Sequence, residues 1–353
     1  MTRVRLYPGP IDTFAIRRYT DELATGLANL GVNVSIDRSR SDRRTVIRYL
    51  ADILRVRKHE NDLNIVCSEG LAYLLLGLPA EKTLVVCHDV HPLLEKRMLP
   101  RSQTGTVRKR FFRLKYRASL WVLRANETTH IVAISKHTAS HLAEEARIPS
   151  ERISVIHNGL ARNWGESPSG HTERVSTLPD HRKVVLHVGN DNWYKNFGGC
   201  VEAVALLDRS DVILVKAGQL SEDSRKLIAQ RHLGDRFVFL PDPTDDELRA
   251  LYRRASVLSF PSRHEGFGWP PLEAMAAGCP VVVANAGSLP EVCRDAALYV
   301  TPSDPRSIAE GLSTVLDDDQ ERARLIERGL ERVKDFSWEN SAAAFLEHAQ
   351  ATS

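Results

Sequence analysis

A chain of 353 residues exceeds what one hydrophobic core ordinarily serves, so two domains are expected. Its 42% hydrophobic and 26% charged residues describe a globular protein, and a net charge of +3 argues neither for nor against nucleic acid, which is not expected as a partner. No apolar run reaches the ~20 residues of a membrane crossing and the N-terminus holds no secretory apolar segment, so the expected location is the cytoplasm.

Short β-branched runs alternate with helical patterns, the mark of parallel sheets covered by helices on both faces. Strand signals fall at 32–36, 63–67, 84–88, 129–134 and 153–157, and helix signals at 14–30, 43–56, 106–125 and 136–145. Residues 96–124 hold ten Lys or Arg and no acid, with Phe111, Phe112, Tyr116 and Trp121 interleaved. Such a segment suits anionic lipid headgroups, and equally suits a solvated basic helix. A polar, Gly- and Pro-containing stretch without periodicity follows, and the interdomain linker is expected at 163–182. Strand signals resume at 183–188, 212–217, 237–240, 257–260 and 281–284. A last helix opens after Ser337, a suitable N-cap. The five cysteines, Cys67, Cys87, Cys200, Cys279 and Cys293, follow no metal-ligand spacing and read as small buried hydrophobes.

Three places gather chemistry. Glu265 and Glu273, with seven residues between them, bracket a turn and the start of a helix: Gly266, Phe267 and Gly268 allow close approach of a ligand, and Pro270 and Pro271 suit an opening helical turn. The helix would aim its N-terminal N–H groups at an anion. Gly189, Asn190 and Lys195 follow a strand, at the sheet edge where α/β proteins bind ligands. His88 and Asp89 end another strand. No Gly-x-Gly-x-x-Gly and no Walker-type lysine appears, which argues against NAD enzymes and P-loop ATPases. Asp317 and Asp319 have a metal-dependent transferase spacing but lie in an acidic turn and read as solvated charge.

The run Glu265-Gly266-Phe267-Gly268, with Pro271-Leu272-Glu273-Ala274-Met275, Gly278-Cys279-Pro280-Val281-Val282 and Ser288-Leu289-Pro290-Glu291-Val292, resembles the signature of the retaining glycosyltransferases of family 4. The chain is similar to the bacterial polysaccharide mannosyltransferases of that family. The resemblance implies the GT-B architecture, an α/β fold of two doubly wound Rossmann-like domains facing a cleft. Residues 1–162 would form the acceptor-side domain, 183–335 the nucleotide-sugar domain, and 336–353 a helix crossing back to the first. It implies transfer of a hexose from a nucleotide diphosphate sugar, GDP-mannose before a UDP-sugar, to a saccharide or lipid-linked acceptor, with no metal or other cofactor. Lys195 would meet the diphosphate, Glu265 the sugar hydroxyls, Glu273 the ribose and His88 the transferred sugar. A GT-B epimerase or phosphorylase, or a silent sugar-nucleotide-binding protein, is the alternative. The chain departs from the pattern in having Asn190 where Arg is frequent, His157 where Pro is usual, and Pro8-Gly9-Pro10-Ile11-Asp12 in place of a Gly-Gly turn.

Overall fold

The computed structural model describes residues 3–8, 14–38, 46–57, 62–90 and 107–351. The chain divides into two compact units, Met1–Gly159 with Phe336–Ser353, and Leu160–Asp335. In the first unit β1 (Arg3–Tyr7), β2 (Asn33–Ile36), β3 (Leu63–Val66), β4 (Thr83–Cys87), β5 (His130–Ala133) and β6 (Ile153–Val155) lie in the order β2-β1-β3-β4-β5-β6. In the second, β7 (Lys183–Gly189), β8 (Val212–Gly218), β9 (Phe237–Pro241), β10 (Val257–Phe260), β11 (Val281–Ala284) and β12 (Leu298–Val300) lie in the order β12-β11-β10-β7-β8-β9. Every neighbouring pair is parallel. The expected doubly wound α/β sheets are both present, with helical segments returning the chain between parallel strands. Burial explains the strand sequences: Val281-Val282-Val283-Ala284 is at most 1% exposed, as a strand covered on both faces requires.

Two strands escaped the sequence reading. β1 alternates Arg3-Val4-Arg5-Leu6-Tyr7, a pattern that reads as a half-exposed strand or a loop, yet it is internal to its sheet. Arg5 is accommodated there by Asp62, 3.1 Å from its Nε. β12 has only three residues and sits at an edge.

Residues 163–182 do not form a free linker but pack on the second unit. Trp164 is buried with its ring 6.0 Å from that of Tyr252, and Val175 and Leu178 are buried too. Arg174 donates to both carboxylate oxygens of Glu247, at 2.6 and 2.5 Å, and this holds the Glu247 carboxyl down at about 2. Glu247 also completes a capping box with Thr244. The apolar residues of this segment are isolated, so no periodicity announced them.

The Trp338–Ala351 helix belongs to the first unit and packs against the Phe14–Asn29 helix. Ser337 Oγ accepts the amide of Asn340 at 3.0 Å, as its N-cap position implies. Two glycines admit the helix start: a Cβ at Gly159 would lie 2.4 Å from Trp338 N, and one at Gly26 would lie 2.7 Å from Trp338 O. His157, in the place where Pro is usual, gives its carbonyl to Ser341 at 2.8 Å. All five cysteines are buried and unbridged.

Candidate active site

In the second sheet β7-β8-β9 run one way from the middle and β10-β11-β12 the other, so the winding reverses between β7 and β10. Ligands of open α/β sheets bind beyond the carboxyl ends of the strands at such a reversal. Lys195 stands on the loop after β7 and Glu265 on the loop after β10. The two side chains meet, Lys195 Nζ to Glu265 Oε1 at 2.7 Å, with only 14% and 9% of them exposed. The lysine assigned to a diphosphate and the glutamate assigned to a sugar are thus partners of each other. The Phe260 ring, 5.1 Å from Nζ, adds a face that a cation favours.

Both loops are held from behind. Asn196 takes a left-handed conformation, φ 55°, which Asn tolerates better than most residues. Its Nδ2 donates to the carbonyls of Pro261 (2.9 Å) and Pro302 (2.7 Å), and its Oδ1 accepts from the Arg263 guanidinium at 3.0 Å. The amide of Arg263 bonds the carbonyl of Tyr194 at 2.7 Å. Ser288 Oγ lies 2.7 Å from the Phe267 carbonyl and 3.1 Å from that of Glu265, and its amide also donates to Glu265 O. Gly287, with φ 62°, packs so closely that a Cβ would sit 2.8 Å from Glu265 N. The Ser288–Val292 motif therefore shapes the Glu265-Gly266-Phe267 turn, a role its sequence did not disclose.

Gly268, φ 110°, caps the Trp269–Ala276 helix. Pro270 and Pro271 occupy the first turn, as their sequence positions imply, and carry no N–H. Their rings start the helix and leave an anion the positive end of the dipole and the amides that remain in the turn. Glu273 is 3% exposed, and its Oε2 accepts from the Tyr252 hydroxyl at 2.8 Å. Tyr252 was missed because an aromatic at helical spacing reads as core, and its ring is indeed fully buried. Asn190 turns back on its own loop, its Oδ1 accepting the amide of Asn192 at 3.2 Å. Asp317 is an ion-pair partner of Arg209, 2.6 Å away.

The first unit carries His88 directly after β4. His88 Nε2 is 2.9 Å from the Cys67 carbonyl, so this nitrogen carries the proton and Nδ1 is the acceptor. Burial lowers the ring's pKa to about 4 and keeps it neutral. The Tyr19 and His88 rings meet in a T-shaped arrangement, their centres 4.7 Å apart. Glu69, set in an apolar run that reads as core, accepts the His88 amide at 3.2 Å, and burial raises its carboxyl to about 7. The Tyr116 hydroxyl donates to the Asp89 carbonyl at 2.5 Å. Tyr116 lies on the buried face of the Val107–Ala125 helix, whose other face exposes Leu114, Arg117, Trp121 and Arg124. Gly9, His91, residues 96–106 and the side chains of Phe111 and Phe112 lie outside the described residues. Among the described residues no helix is long and apolar enough to cross a membrane.

Two family models match the chain, Glycosyltransferase Family 4 over residues 16–163 and Glycosyl transferases group 1 over residues 171–332. The chain is 30% identical over 233 residues to the uncharacterized glycosyltransferase MJ1607 of Methanocaldococcus jannaschii, covering 62% of this chain and 59% of that one. It is 32% identical over 220 residues to the O-antigen chain mannosyltransferase B of Escherichia coli, covering 60% and 57%. To the serotype-specific mannosyltransferase WbdA of Escherichia coli it is 29% identical, covering 77% of this chain and 34% of that one. The chain thus spans between a third and about three fifths of the length of these three curated relatives. Over 99% of the chain the fold is that of sucrose-phosphate synthase of Thermosynechococcus elongatus, TM-score 0.79, 18% identity and 99% of that chain. Anabaena HepE, solved with UDP and glucose, gives a TM-score of 0.76 at 18% identity, with 99% of this chain and 100% of that one covered. The fold is therefore GT-B. With a family model on each of its two halves, the chain belongs to the family 4 glycosyltransferases.

Proposed function

We propose that the protein transfers a hexose from a nucleotide diphosphate sugar to an acceptor hydroxyl, with retention at the anomeric carbon and without a metal, and that the donor is GDP-mannose. The observation that carries the reading is the Lys195–Glu265 pair at the winding reversal of the second sheet. Breaking the anomeric bond leaves positive charge on the sugar and negative charge on the diphosphate, and preorganised charges of both signs lower that barrier. Lys195 and the positive end of the Trp269–Ala276 helix serve the diphosphate. Glu265 faces the sugar, and Glu273, oriented by Tyr252, takes the ribose hydroxyls. His88, neutral and accepting through Nδ1, receives a hydrogen bond from a sugar hydroxyl. Mannose is favoured by the mannosyltransferases among the relatives, and a UDP-sugar is the second donor because HepE was solved with UDP.

The acceptor in this reading is a growing cell-surface polysaccharide or glycolipid at the cytoplasmic face of an anionic membrane. The exposed Leu114 and Trp121, flanked by Arg117 and Arg124, support it. Incubation with GDP-mannose, GDP-glucose, UDP-glucose and UDP-galactose, each with and without excess EDTA, tests the proposal through nucleotide release and the anomeric configuration of the product. Fastest release from GDP-mannose, unchanged by EDTA, is expected. Release that stops with EDTA and returns with magnesium or manganese would refute the metal-free mechanism, and an inverted product would refute retention.

A further inference from the structure

The donor-site reading leaves unused a fully buried cation beside the Lys195 loop. Lys216 stands on β8 opposite His187 of β7 in the parallel register, and both side chains are fully buried. Lys216 Nζ donates to the Gly189 carbonyl at 2.5 Å and to that of Ala217 at 3.2 Å, and lies 5.4 Å from the centre of the Phe197 ring. Gly189 is the residue at which β7 turns into the Lys195 loop. It adopts φ 129°, and a Cβ there would touch the Lys195 chain at 3.9 Å. Lys216 therefore grips the turn that carries Lys195.

Among the described residues no carboxylate lies within salt-bridge distance of Lys216. The charged and titratable groups facing it are Asp191 on the loop, Cys200 on the Phe197–Leu207 helix, Lys195 and His187. Asp191 already accepts the amide of Ser221 at 2.7 Å. His187 cannot compensate the ammonium: burial, and then Lys216 itself, keep its ring neutral, and its Nδ1 has no partner. A buried ammonium with carbonyl partners alone costs stability. Burial accordingly lowers its pKa to about 8.

Resting on the donor-site reading above, we propose that Lys216 is a positioning residue of that site, a buried cation whose charge is compensated by the diphosphate of a bound nucleotide. Binding and protonation are then coupled: the diphosphate stabilises the ammonium form, and the proton comes from solvent. The coupling is invisible where Lys216 is already charged and grows as pH rises past 8.

Calorimetric titration of the whole protein with GDP and with UDP, in Tris and in TAPS, measures it. At pH 8.5 the binding heat should differ between the two buffers by an amount corresponding to roughly half a proton or more taken up, and this difference should shrink toward pH 7. Lys216→Met should abolish the uptake and bind about tenfold more weakly at pH 7, the equivalent of one pKa unit of coupling. Lys216→Arg, whose charge does not titrate in this range, should bind without uptake and without the loss of affinity above pH 8. Wild-type binding with no buffer-dependent heat at pH 8.5 overturns the inference, as does a folded Lys216→Met protein that still takes up the proton. Failure of both nucleotides to bind at any pH overturns the donor-site reading itself.

Discussion

The two candidate loops occupy equivalent places, each at the carboxyl end of a parallel strand, yet they are electrostatically opposite. The loop of the second unit is built from charges: Lys195 against Glu265, Lys216 behind them, and Glu273 held by Tyr252. The turn of the first unit is built from groups kept uncharged or shared: a neutral His88, and a Glu69 whose carboxyl is raised toward neutrality. Charge that must be met by phosphate calls for fixed cations, whereas a neutral hydroxyl needs only a well-placed acceptor. The same architecture thus serves two tasks through the side chains it places after its strands.

The most severe way to break this contrast is Lys195→Ala. Turnover with the preferred donor should fall about 100- to 1000-fold, because a preorganised positive charge is lost where negative charge grows. Donor affinity should fall less, since the same change also frees Glu265 from a buried pair. Normal kcat with a raised KM would reduce Lys195 to a uniform binder. Glu273→Ala comes next and should weaken nucleotide binding by about 1.5 to 3 kcal/mol, the value of a hydrogen bond to a charged group. Tyr252→Phe should cost about 1 kcal/mol through the same carboxylate. Titration calorimetry resolves both, and an unchanged affinity in a folded Glu273→Ala protein removes Glu273 from the site.

Much of the second unit was legible because its signature residues are local: Glu265 to Glu273 span one turn and one helix start, and Gly189 to Lys195 one loop. The Lys195–Glu265 contact joins residues 70 apart and depends on β7 and β10 being neighbours, which no single segment states. Ser288, Tyr252 and Asn196 act through hydrogen bonds to backbone or carboxylate, and their own neighbourhoods in sequence carry no trace of that partner. In the first unit, Glu69 reaches His88 across 19 residues and sits in an apolar run that reads as core. Where chemistry is carried by the residue type the sequence shows it; where it is carried by a partner brought in by the sheet order, it does not.

A milder test concerns what the first unit adds outside its His88 turn. The exposed face of the Val107–Ala125 helix offers Arg117, Trp121 and Arg124 to a membrane surface. Replacing both arginines by Gln should reduce binding to vesicles containing phosphatidylserine by about 1 kcal/mol for each charge, and added salt should shrink the difference. Co-sedimentation measures this, and wild-type protein that ignores such vesicles at low salt would make the helix a solvated one.

The smallest effect expected, and the one that sharpens the contrast most directly, is in the pH dependence of stability. Glu69 is raised from 4.5 to about 7 in the folded chain, burial being the main cause, so its contribution is fully present below pH 4.5 and is lost as pH rises through 7. His88 is lowered from 6.5 to about 4, again by burial, so its contribution is present above pH 6.5 and is lost as pH falls through 4. The two groups meet through the His88 amide and oppose each other across overlapping windows. Glu69→Gln keeps an oxygen for the His88 amide and removes the group that must ionise in a buried place. Its melting temperature should therefore fall less between pH 5.5 and 8 than that of the wild type, while the decline on the acid side, which belongs to His88, is retained. Parallel curves for the two proteins across that range would show that Glu69 titrates as an ordinary carboxylate, and the electrostatic difference between the two loops would then rest on His88 alone.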